Sequence, residues 1–544
     1  MRIRLAVSLV ACVAVAFSAA IALCADQPPA FRVSFETALE KLFPGETERA
    51  AADAKSGSVS LAANEYEPFQ LIVSAARDLK NVTVVPSDAV SSSGAKIASE
   101  NFEVNAVGYV AVIKPFYTPY YVRVPNEPKW PDPLIPTNRV DVKGTTIQPF
   151  WITVYAPPGT AAGDYAAAFT VTADGERPVT ADFAVHVWNF TLPKVSHLRT
   201  AFWLYPNFIR EFYKLKIDDP VSDRMVEKYE YDMLAHRMSP LEMSIDRPAP
   251  VPEIVEGRDT DFAAWDAWME RAVNAGLNFF SLPLKSDDDK KTVVLKARAW
   301  GRHMKDKGWR DLACVFLVDE TTDGRDLRAW VHEGDPSLRN ALTWHPVDDP
   351  TVDIWIPQIE RGFAEFPEAV SKARAEGKIL WMYSSSPTTG SEPQRTAFYP
   401  NTNIDFPATH PRLLPWVCWK ENLEGYLYWC VNHWAKNPWE TAETFRRQNG
   451  NGSFYYPGAD GPVHSIRLEA FRDGMEDYEY FYLLRERAER DRKAGRNLDV
   501  VAHADAVLSL WPNTRAFMYD VNRNPDELYR TRTAAARLIE QLGQ

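Results

Sequence analysis

Cys314-Val315-Phe316-Leu317-Val318-Asp319-Glu320 is an apolar run that ends in two adjacent carboxylates. The run predicts a buried strand over residues 313–318. On both sides of it, from about residue 198 onward, short apolar runs alternate with helical segments, a pattern typical of a parallel sheet covered by helices. The other predicted strands cover residues 200–204, 239–244, 278–282, 340–343, 353–357, 378–383 and 425–431.

Helices are predicted between these strands, at residues 221–235, 261–275, 290–307, 364–376 and 411–420. Eight strands with intervening helices within about 235 residues match the size of a (β/α)8 barrel. The link between the fifth and sixth strands has no room for a full helix. We therefore expect a TIM-like barrel over residues 196–462, followed by a helical region over residues 463–544 that packs on it.

The segment before the barrel is predicted to be all-β. Its strands cover residues 58–63, 67–75, 81–86, 102–113, 146–155, 164–172 and 180–187, with turn residues between them. Several short strands without helical periodicity favour a β-sandwich, which we place at residues 26–195. The proline-rich stretch 115–136 is predicted to be a long loop.

Composition restricts the partners of this chain. Its 544 residues are too many for one hydrophobic core, and its formal charge of −12 becomes −14 without Arg2 and Arg4. This excess of acid argues against nucleic acid or an anionic membrane as a partner. The 18 Trp, 22 Tyr and 27 Phe favour instead a wall of flat apolar faces.

Residues 1–25 are predicted to be a secretory signal. Arg2 and Arg4 precede an apolar run at 5–23, with small residues at Ala20 and Ala22. A membrane anchor is the alternative, but a polar segment follows at once. Lipidation of Cys24 is a second alternative, and it is disfavoured because Leu23 stands where a small residue is needed. We expect an exported mature protein that is not inserted in the membrane.

The remaining thiols, Cys314, Cys418 and Cys430, each lie in an apolar or aromatic run and are predicted to be buried and inert. A bridge between Cys418 and Cys430 is the alternative. The ten His residues are scattered and make no clustered spacing with these thiols, and no glycine-rich loop is suited to a phosphate. The sequence therefore implies no metal and no organic cofactor.

The chemistry of such barrels comes from the carboxyl ends of the strands, where Asp319 and Glu320 stand. Unpaired carboxylates near a core are costly, so a buried strand gains no stability from this ending. Glycoside cleavage commonly requires two carboxyl groups in one pocket. A structural alternative remains open: Asp319 or Thr321 could cap a helix over residues 323–331.

Residues 300–485 resemble the catalytic domain of glycoside hydrolase family 123, grouped with the domain of unknown function numbered 4091. The stretches that carry the resemblance are VFLVDE at 315–320, VDIWIP at 352–357, GKILWMY at 377–383, YPN at 399–401, RLLPW at 412–416, GYLYWCVN at 425–432 and SIRLEAFRDGMEDYEY at 465–480. The stretch AANEYEPFQ at 62–70 resembles the N-terminal β-sandwich of the same family.

The resemblance implies a β-N-acetylgalactosaminidase that retains configuration, in which the acetamido oxygen of the sugar attacks the anomeric carbon. The Asp-Glu pair of the family matches Asp319 and Glu320. Asp319 would orient the acetamido group and stabilise its developing positive charge. Glu320 would protonate the leaving oxygen and later deprotonate water. The expected substrate is an oligosaccharide or a glycoconjugate.

Aromatic and polar residues near the predicted strand ends are candidates for substrate binding. Ring stacking on a sugar is the prediction for some of Trp355, Trp381, Tyr383, Trp416, Trp429 and Trp434, although each of them could equally be a core residue. Tyr383 could donate to the acetamido oxygen and Asn432 could bind a hydroxyl. Arg237 is predicted to bind a hydroxyl or to pair with a carboxylate.

Several alternatives remain open at this point. A glycosidase for a sugar without an acetamido group would keep Glu320 as acid and use Asp353 or Glu392 as nucleophile or base. A non-catalytic carbohydrate-binding protein would use the same scaffold. The charged residues from Arg467 to Asp477 are interpreted as an ion-paired helix that docks on the barrel, rather than as part of the site.

Overall fold

The computed structural model describes residues 29–47, 56–112, 129–217, 219–242, 251–363, 365–385, 399–511 and 524–543. The predicted signal at residues 1–25 and the candidate Glu392 lie outside these residues, as do parts of the predicted loop 115–136 and the predicted strand 239–244.

Two sheets form the N-terminal region. The first contains, in spatial order, β1 (Phe31–Thr37), β3 (Glu65–Ala75), β10 (Thr146–Ala156), β7 (Phe102–Ala111) and β8 (Lys129–Ile135). The second contains β2 (Ser56–Ala63), β12 (Val179–Thr191), β11 (Gly163–Thr172), β4 (Leu79–Pro86) and β9 (Arg139–Val142), with the short β5 (Ala89–Ser91) and β6 (Lys96–Ile97) beside it. Residues from both sheets, among them the stacked rings of Phe69 and Phe183, share one apolar core, as a β-sandwich requires.

The prediction of a continuous loop over residues 115–136 is wrong for its last part, which is strand β8. Proline usually argues against a strand because it cannot donate to the ladder. Here β8 lies at the edge of its sheet and pairs with β7 only, with a register shift between Val107 and Tyr109. An edge strand tolerates Pro131 and Pro133 because its outer side has no partner in the sheet.

The next region carries seven short parallel strands, each inside or overlapping a predicted one: β13 (Arg199–Phe202), β14 (Phe280–Ser281), β15 (Ala313–Cys314), β16 (Ala341–Leu342), β17 (Ile354–Trp355), β18 (Ile379–Ser384) and β19 (Gly425–Tyr428). They form a five-stranded sheet in the order β13-β19-β18-β17-β16 and a separate pair, β14-β15. Within the described part of 239–244 no strand forms, and Pro240 makes a single bridge to Phe202. The strands therefore form about half of a barrel sheet. The prediction of an eight-stranded barrel is confirmed for this part only.

Helices surround these strands: α1 (Pro206–Tyr213), α2 (Pro220–Ala235), α3 (Ala263–Ala275), α4 (Lys290–Lys307), α5 (Arg325–Gly334), α6 (Pro367–Ala375) and α7 (Thr409–Lys420). Asp219 caps α2 by accepting from the Val221 N–H, and Asp289 caps α4 by accepting from the Thr292 N–H. Side chains that alternate along the strands, such as Ala201, Cys314, Ile354 and Leu427, meet in one interior cluster. This alternation decides which strand residues face the centre.

A short hairpin of β20 (Tyr456–Pro457) and β21 (Pro462–Val463) leads into α8 (Ile466–Ala494), α9 (Leu498–Leu508) and α10 (Pro525–Gly543). The first half of α8 is buried and its charges are paired. Arg467 contacts Asp132 of β8 at 2.9 Å, and Asp477 contacts Arg412 of α7 at 2.7 Å. Helix α8 therefore connects the sandwich to helix α7 of the parallel-strand region through buried ion pairs, consistent with the interpretation of these charges as structural.

All three described cysteines, Cys314, Cys418 and Cys430, are free and buried, so the alternative bridge between Cys418 and Cys430 is absent. Burial raises the pKa of each thiol well above its usual value, which keeps the groups protonated and unreactive. Among the described helices, none combines the length and the apolar character that a membrane span requires.

Candidate active site

The carboxylate pair lies beyond the end of β15, in the loop that leads to α5. This helix begins at Arg325, and its N-cap is Gly324, with φ of +76° and no capping side chain. Thr321 instead accepts a hydrogen bond from the Asp323 N–H within the loop, at 3.1 Å. The alternative that Asp319 or Thr321 caps this helix is therefore wrong.

Two hydroxyl groups from other parts of the parallel-strand region hold the pair. The Thr343 hydroxyl, just beyond β16, donates to Asp319 Oδ1 at 2.5 Å, and the Tyr383 hydroxyl, on β18, donates to Glu320 Oε1 at 2.5 Å. Asp319 and Glu320 are exposed residues, whereas Thr343 and Tyr383 are buried. Neither carboxylate forms an ion pair with a cation in the part of the chain that the structure describes. Such carboxylates are available for chemistry rather than locked in a scaffold.

The surroundings of Asp319 perturb its ionisation. Partial loss of hydration raises its pKa above the usual value, and the charge of Glu320 acts in the same direction. Hydrogen bonds from Thr343 and from the Glu320 N–H lower the pKa again. The carboxylate form of Asp319 therefore depends on these two donors.

Aromatic side chains that follow β13 lie near the pair or near the apolar run that leads to it. Trp203, which follows β13, packs edge-on against Phe316 with ring centroids 5.1 Å apart. Tyr205 is 39 % exposed, and the charges of Asp319 and Glu242 contribute to a raised pKa whose main cause is burial. The site therefore has apolar faces beside acidic groups, a combination suited to sugars.

Two predicted binding residues at the end of β19 differ in role. Trp429 is partly exposed, and its Nε1 donates to Asn451 Oδ1 at 3.1 Å, so one part of the ring remains accessible. Asn432 is buried: its side chain accepts from the Tyr205 N–H and donates to the Tyr205 carbonyl, both at 2.9 Å. Asn432 thus fixes the backbone of Tyr205, and its predicted bond to a substrate hydroxyl is incompatible with this position.

The stacking role predicted for three tryptophans is incompatible with their burial. Trp416 lies on α7, fully buried, and donates to Asp477 at 2.9 Å. Trp381 lies in the interior that the strands enclose, where its ring contacts Phe279. It also covers Gly425, and a Cβ added to that glycine would lie 2.2 Å from the indole. Trp355 is buried on the outer, helix-facing side, because its neighbours Ile354 and Ile356 face the interior.

Arg237 pairs with a carboxylate, which was one of its two predicted roles. Its Nε contacts Glu476 Oε1 at 3.3 Å, and its Nη1 donates to the Pro193 carbonyl at 2.9 Å. Arg237 lies before Pro240 and its bridge to Phe202, whereas Asp319 lies beyond the carboxyl end of β15. Its placement among substrate-binding residues is therefore wrong.

Two functional candidates were missed by the sequence reasoning. Thr343 contacts Asp319, and the buried Arg328 donates to the Asp323 carbonyl at 2.8 Å and to Asp349 at 2.7 Å, which anchors the loop after the pair. Thr343 ends a predicted strand and so had a positional signal. Arg328 lies inside a predicted helix, and no local pattern distinguished it.

A histidine cluster also escaped the sequence analysis, because its members are far apart in the chain. Asp232, His236 and His464 each bring one possible metal ligand atom within 4.8 Å of the others. Both imidazoles also face Glu469, at 3.2 Å from His236 and 3.1 Å from His464. The two histidines and the two carboxylates pair with one another, and Glu469 also pairs with Arg472. It lies away from the carboxylate pair, because His236 stands before Pro240, on the amino side of the bridge to Phe202.

Comparisons with known proteins agree with this geometry. Residues 274–484 match the glycoside hydrolase 123 catalytic domain, and residues 49–173 match the glycoside hydrolase 123 N-terminal domain. A family 123 glycoside hydrolase from Clostridium perfringens, studied for glycolipid glycan hydrolysis, superposes with a TM-score of 0.68 at 14 % identity, over 94 % of this chain and 98 % of that chain. A search of curated proteins finds no match.

Two other solved glycoside hydrolases are more distant. A family 39 enzyme from Bacteroides cellulosilyticus has a TM-score of 0.33 at 10 % identity, over 69 % of this chain and 77 % of that chain. A family 5 xyloglucanase from Bacteroides ovatus has a TM-score of 0.27 at 8 % identity, over 78 % of this chain and 99 % of that chain. These similarities are too weak to support an argument.

The matched domains, together with a carboxylate pair at a strand end, define a glycoside hydrolase. The chain belongs to glycoside hydrolase family 123, as the sequence motifs predicted.

Proposed function

We propose that this protein is a retaining β-N-acetylgalactosaminidase that acts on an oligosaccharide or a glycoconjugate. The observation that carries the proposal is the adjacent pair Asp319 and Glu320, each held by a neutral hydroxyl and by no cation among the described residues. The galacto configuration and the acetamido group are supported by the resemblance of the sequence motifs to the family.

In the first step the acetamido oxygen bonds to the anomeric carbon while the bond from that carbon to the leaving oxygen breaks. Glu320 transfers its proton to the leaving oxygen. Asp319, ionised, stabilises the positive charge that develops on the acetamido nitrogen. The products of this step are an oxazolinium ion, a free alcohol and an ionised Glu320.

In the second step Glu320 takes a proton from water, and the water oxygen bonds to the anomeric carbon. The bond from that carbon to the acetamido oxygen breaks, and its electron pair returns to the amide. Each step inverts the anomeric centre, so the product retains the starting configuration. Tyr383 orients Glu320 in the free enzyme, because its hydroxyl donates to Oε1.

The test is a screen of 4-nitrophenyl β-glycosides of N-acetylgalactosamine, N-acetylglucosamine, galactose and glucose. We expect turnover of the 2-acetamido sugars, with N-acetylgalactosamine preferred, and retention of configuration by proton NMR. Asp319→Asn is the matched control and is expected to be strongly impaired, because it lacks the charge that stabilises the developing cation. Turnover of galactoside equal to that of the acetamido sugar would overturn the proposal and favour a two-carboxylate enzyme.

The structure argues against Asp353 as the second carboxylate of a two-carboxylate enzyme. Asp353 precedes β17 and contacts His332 at 2.9 Å and the Asn340 N–H at 2.8 Å. It lies at the amino end of its strand, away from Glu320, and so cannot serve as nucleophile or base there. Binding of a sugar without turnover in the same screen would favour the non-catalytic alternative.

We also propose that the eight parallel segments close into one (β/α)8 ring. Backbone hydrogen bonds support this closure: Leu241 N–H to Phe202, Ser281 N–H to Leu241, and Ala341 N–H to Val315 connect the two-stranded pair to both edges of the five-stranded sheet. Asp319 and Glu320 would then lie at the carboxyl end of the fourth parallel segment, counted along the chain.

Export is a further proposal, supported by Arg2, Arg4 and the apolar run at residues 5–23. N-terminal sequencing of the protein recovered from the culture medium or periplasm tests it. We expect a mature chain that begins near residue 26, and an intact residue 1 on the recovered chain would contradict it.

A further inference from the structure

One hydroxyl contacts both members of the carboxylate pair. The side chain of Thr343, which is 1 % exposed, donates to Asp319 Oδ1 at 2.5 Å and accepts from the Glu320 N–H at 2.9 Å. A hydroxyl has one proton and two lone pairs, so it can make both bonds at once.

The direction of these bonds is fixed by chemistry. A backbone N–H can only donate, so the Thr343 oxygen must be the acceptor for Glu320. The hydroxyl proton is then directed at Asp319 Oδ1, which must accept. A donor at this oxygen favours the ionised form of Asp319 and leaves its second oxygen to face a substrate.

Thr343 also stabilises the backbone conformation of Glu320. Glu320 has φ of +49°, in the left-handed region that residues with long side chains seldom occupy. The bond from its N–H to Thr343 helps to hold this conformation, from which the side chain reaches Tyr383. The two hydroxyls come from Thr343, just beyond β16, and from Tyr383 of β18.

We propose that Thr343 is a positioning residue for the reaction: it holds Asp319 ionised and oriented and fixes the backbone from which Glu320 acts. The inference rests on the proposed function and deepens it. Thr343 does not touch the reacting atoms itself and acts through the two carboxylates.

The test compares Thr343→Val, which keeps the shape and loses the hydroxyl, with Thr343→Ser, which keeps the hydroxyl. Thr200→Val is the matched control, because Thr200 is also fully buried, accepts from the Ser239 N–H at 2.8 Å and donates to the Arg237 carbonyl, but lies at the amino end of β13. The readouts are kcat, KM, their pH profiles and the melting temperature.

For Thr343→Val we expect kcat to fall about 10²-fold with little change in KM, the pattern of lost transition-state stabilisation. The acid limb of kcat/KM should move upward by about one pH unit, because a hydrogen bond to the charged form of Asp319 is lost. Glu320 and Tyr205, the titratable groups that interact electrostatically with Asp319, are unchanged in this variant. Thr343→Ser should restore both values to near wild type, and Thr200→Val should move only the melting temperature.

An unshifted acid limb in Thr343→Val, or a Thr343→Ser variant as impaired as Thr343→Val, would overturn the inference. If Thr343→Val fails to fold, Thr343→Ala replaces it in the same comparison. If the wild type turns over no glycoside, the proposed function fails, and the pH dependence of urea unfolding then tests Thr343 directly. Thr343→Val should lose stability relative to the wild type as the pH rises through the ionisation of Asp319. In an Asp319→Asn background the stability difference should no longer depend on pH in this range.

Discussion

Replacement of Asp319 by Asn tests the charge on which the proposed mechanism depends. Asn keeps the size of the side chain and an oxygen that can accept from Thr343, which lies 2.5 Å from Oδ1 in the wild type. The substitution removes the negative charge only. A neutral substrate gains little from that charge, whereas the oxazolinium-like transition state gains much, so the loss should appear in kcat rather than in KM.

The size of the effect follows from electrostatics. Two unit charges about 4 Å apart interact by about 4 kcal/mol at an effective dielectric constant of about 20. Each 1.36 kcal/mol corresponds to about a tenfold change in rate, so a full charge would give about 10³-fold. Because Asp319 is exposed and the transition state carries part of a charge, we expect kcat to fall by about 10²- to 10³-fold.

The assay measures kcat and KM on an aryl N-acetyl-β-galactosaminide between pH 4 and 9, together with the free energy of unfolding in urea. Asp323→Asn is the matched control, because Asp323 is an exposed carboxylate in the same loop. In the wild type, activity should fall as the pH drops below the raised pKa of Asp319.

Stability should move in the opposite direction from activity. Loss of hydration raises the pKa of folded Asp319, and such a carboxyl destabilises the fold as the pH rises from its unfolded to its folded pKa. Above that interval Asp319→Asn should be at least as stable as the wild type. Wild-type turnover by Asp319→Asn, or a sugar covalently attached to Asp319 in mass spectra with 2-fluoro glycosides, would refute the reasoning.

The remaining predictions concern other parts of the molecule. Glu320→Gln should fold normally and lose turnover by about 10²- to 10⁴-fold on poor leaving groups, but less on activated aryl groups; equal losses on both would contradict its role as acid. Trp429→Ala should raise KM for an oligosaccharide more than it lowers kcat, as steady-state kinetics would show, because its ring is partly exposed at the end of β19. Arg467→Met should lower the free energy of unfolding by about 3–5 kcal/mol, measured in urea, because it leaves the buried Asp132 without its cation. Burial alone would lower the pKa of His464, but Asp232 and Glu469 hold it well above its usual value. The stabilisation from this pairing is therefore complete below about pH 6.5 and is lost as the pH rises through the folded pKa of His464. The difference in the free energy of unfolding in urea between the wild type and His464→Gln should therefore decrease from pH 6 to 9.

Local pattern predicted most of the strands and helices, as β15 and α4 illustrate, but it missed helix α1 and strand β1. An apolar run of five residues favours a core position, and Ala313, Cys314 and Val315 are buried, whereas residues 316–318 are partly buried. Helix α4 spans Lys290–Lys307, the range that its apolar periodicity predicts, and Asp289 caps it. The same local logic failed at β8, where the position at a sheet edge outweighs the prolines.

The direction in which each side chain points could not be predicted from the sequence. Trp355, Trp381 and Tyr383 all stand near strand ends, yet one faces the helices, one fills the interior and one reaches Glu320. Direction alternates along a strand, so the outcome depends on strand register, which is set by pairing between distant segments. Counting aromatics could not separate stacking residues from core residues.

By itself, the sequence determined most of the strands and helices, the family and the position of the Asp-Glu pair beyond a strand, because each of these depends on residues that are neighbours in the chain. Only the tertiary structure decided that Thr343 and Tyr383 hold that pair, that Arg237 and Asn432 are structural, and that two histidines meet two carboxylates. These contacts join residues tens to hundreds of positions apart, and their energies depend on distance and burial that no local pattern contains.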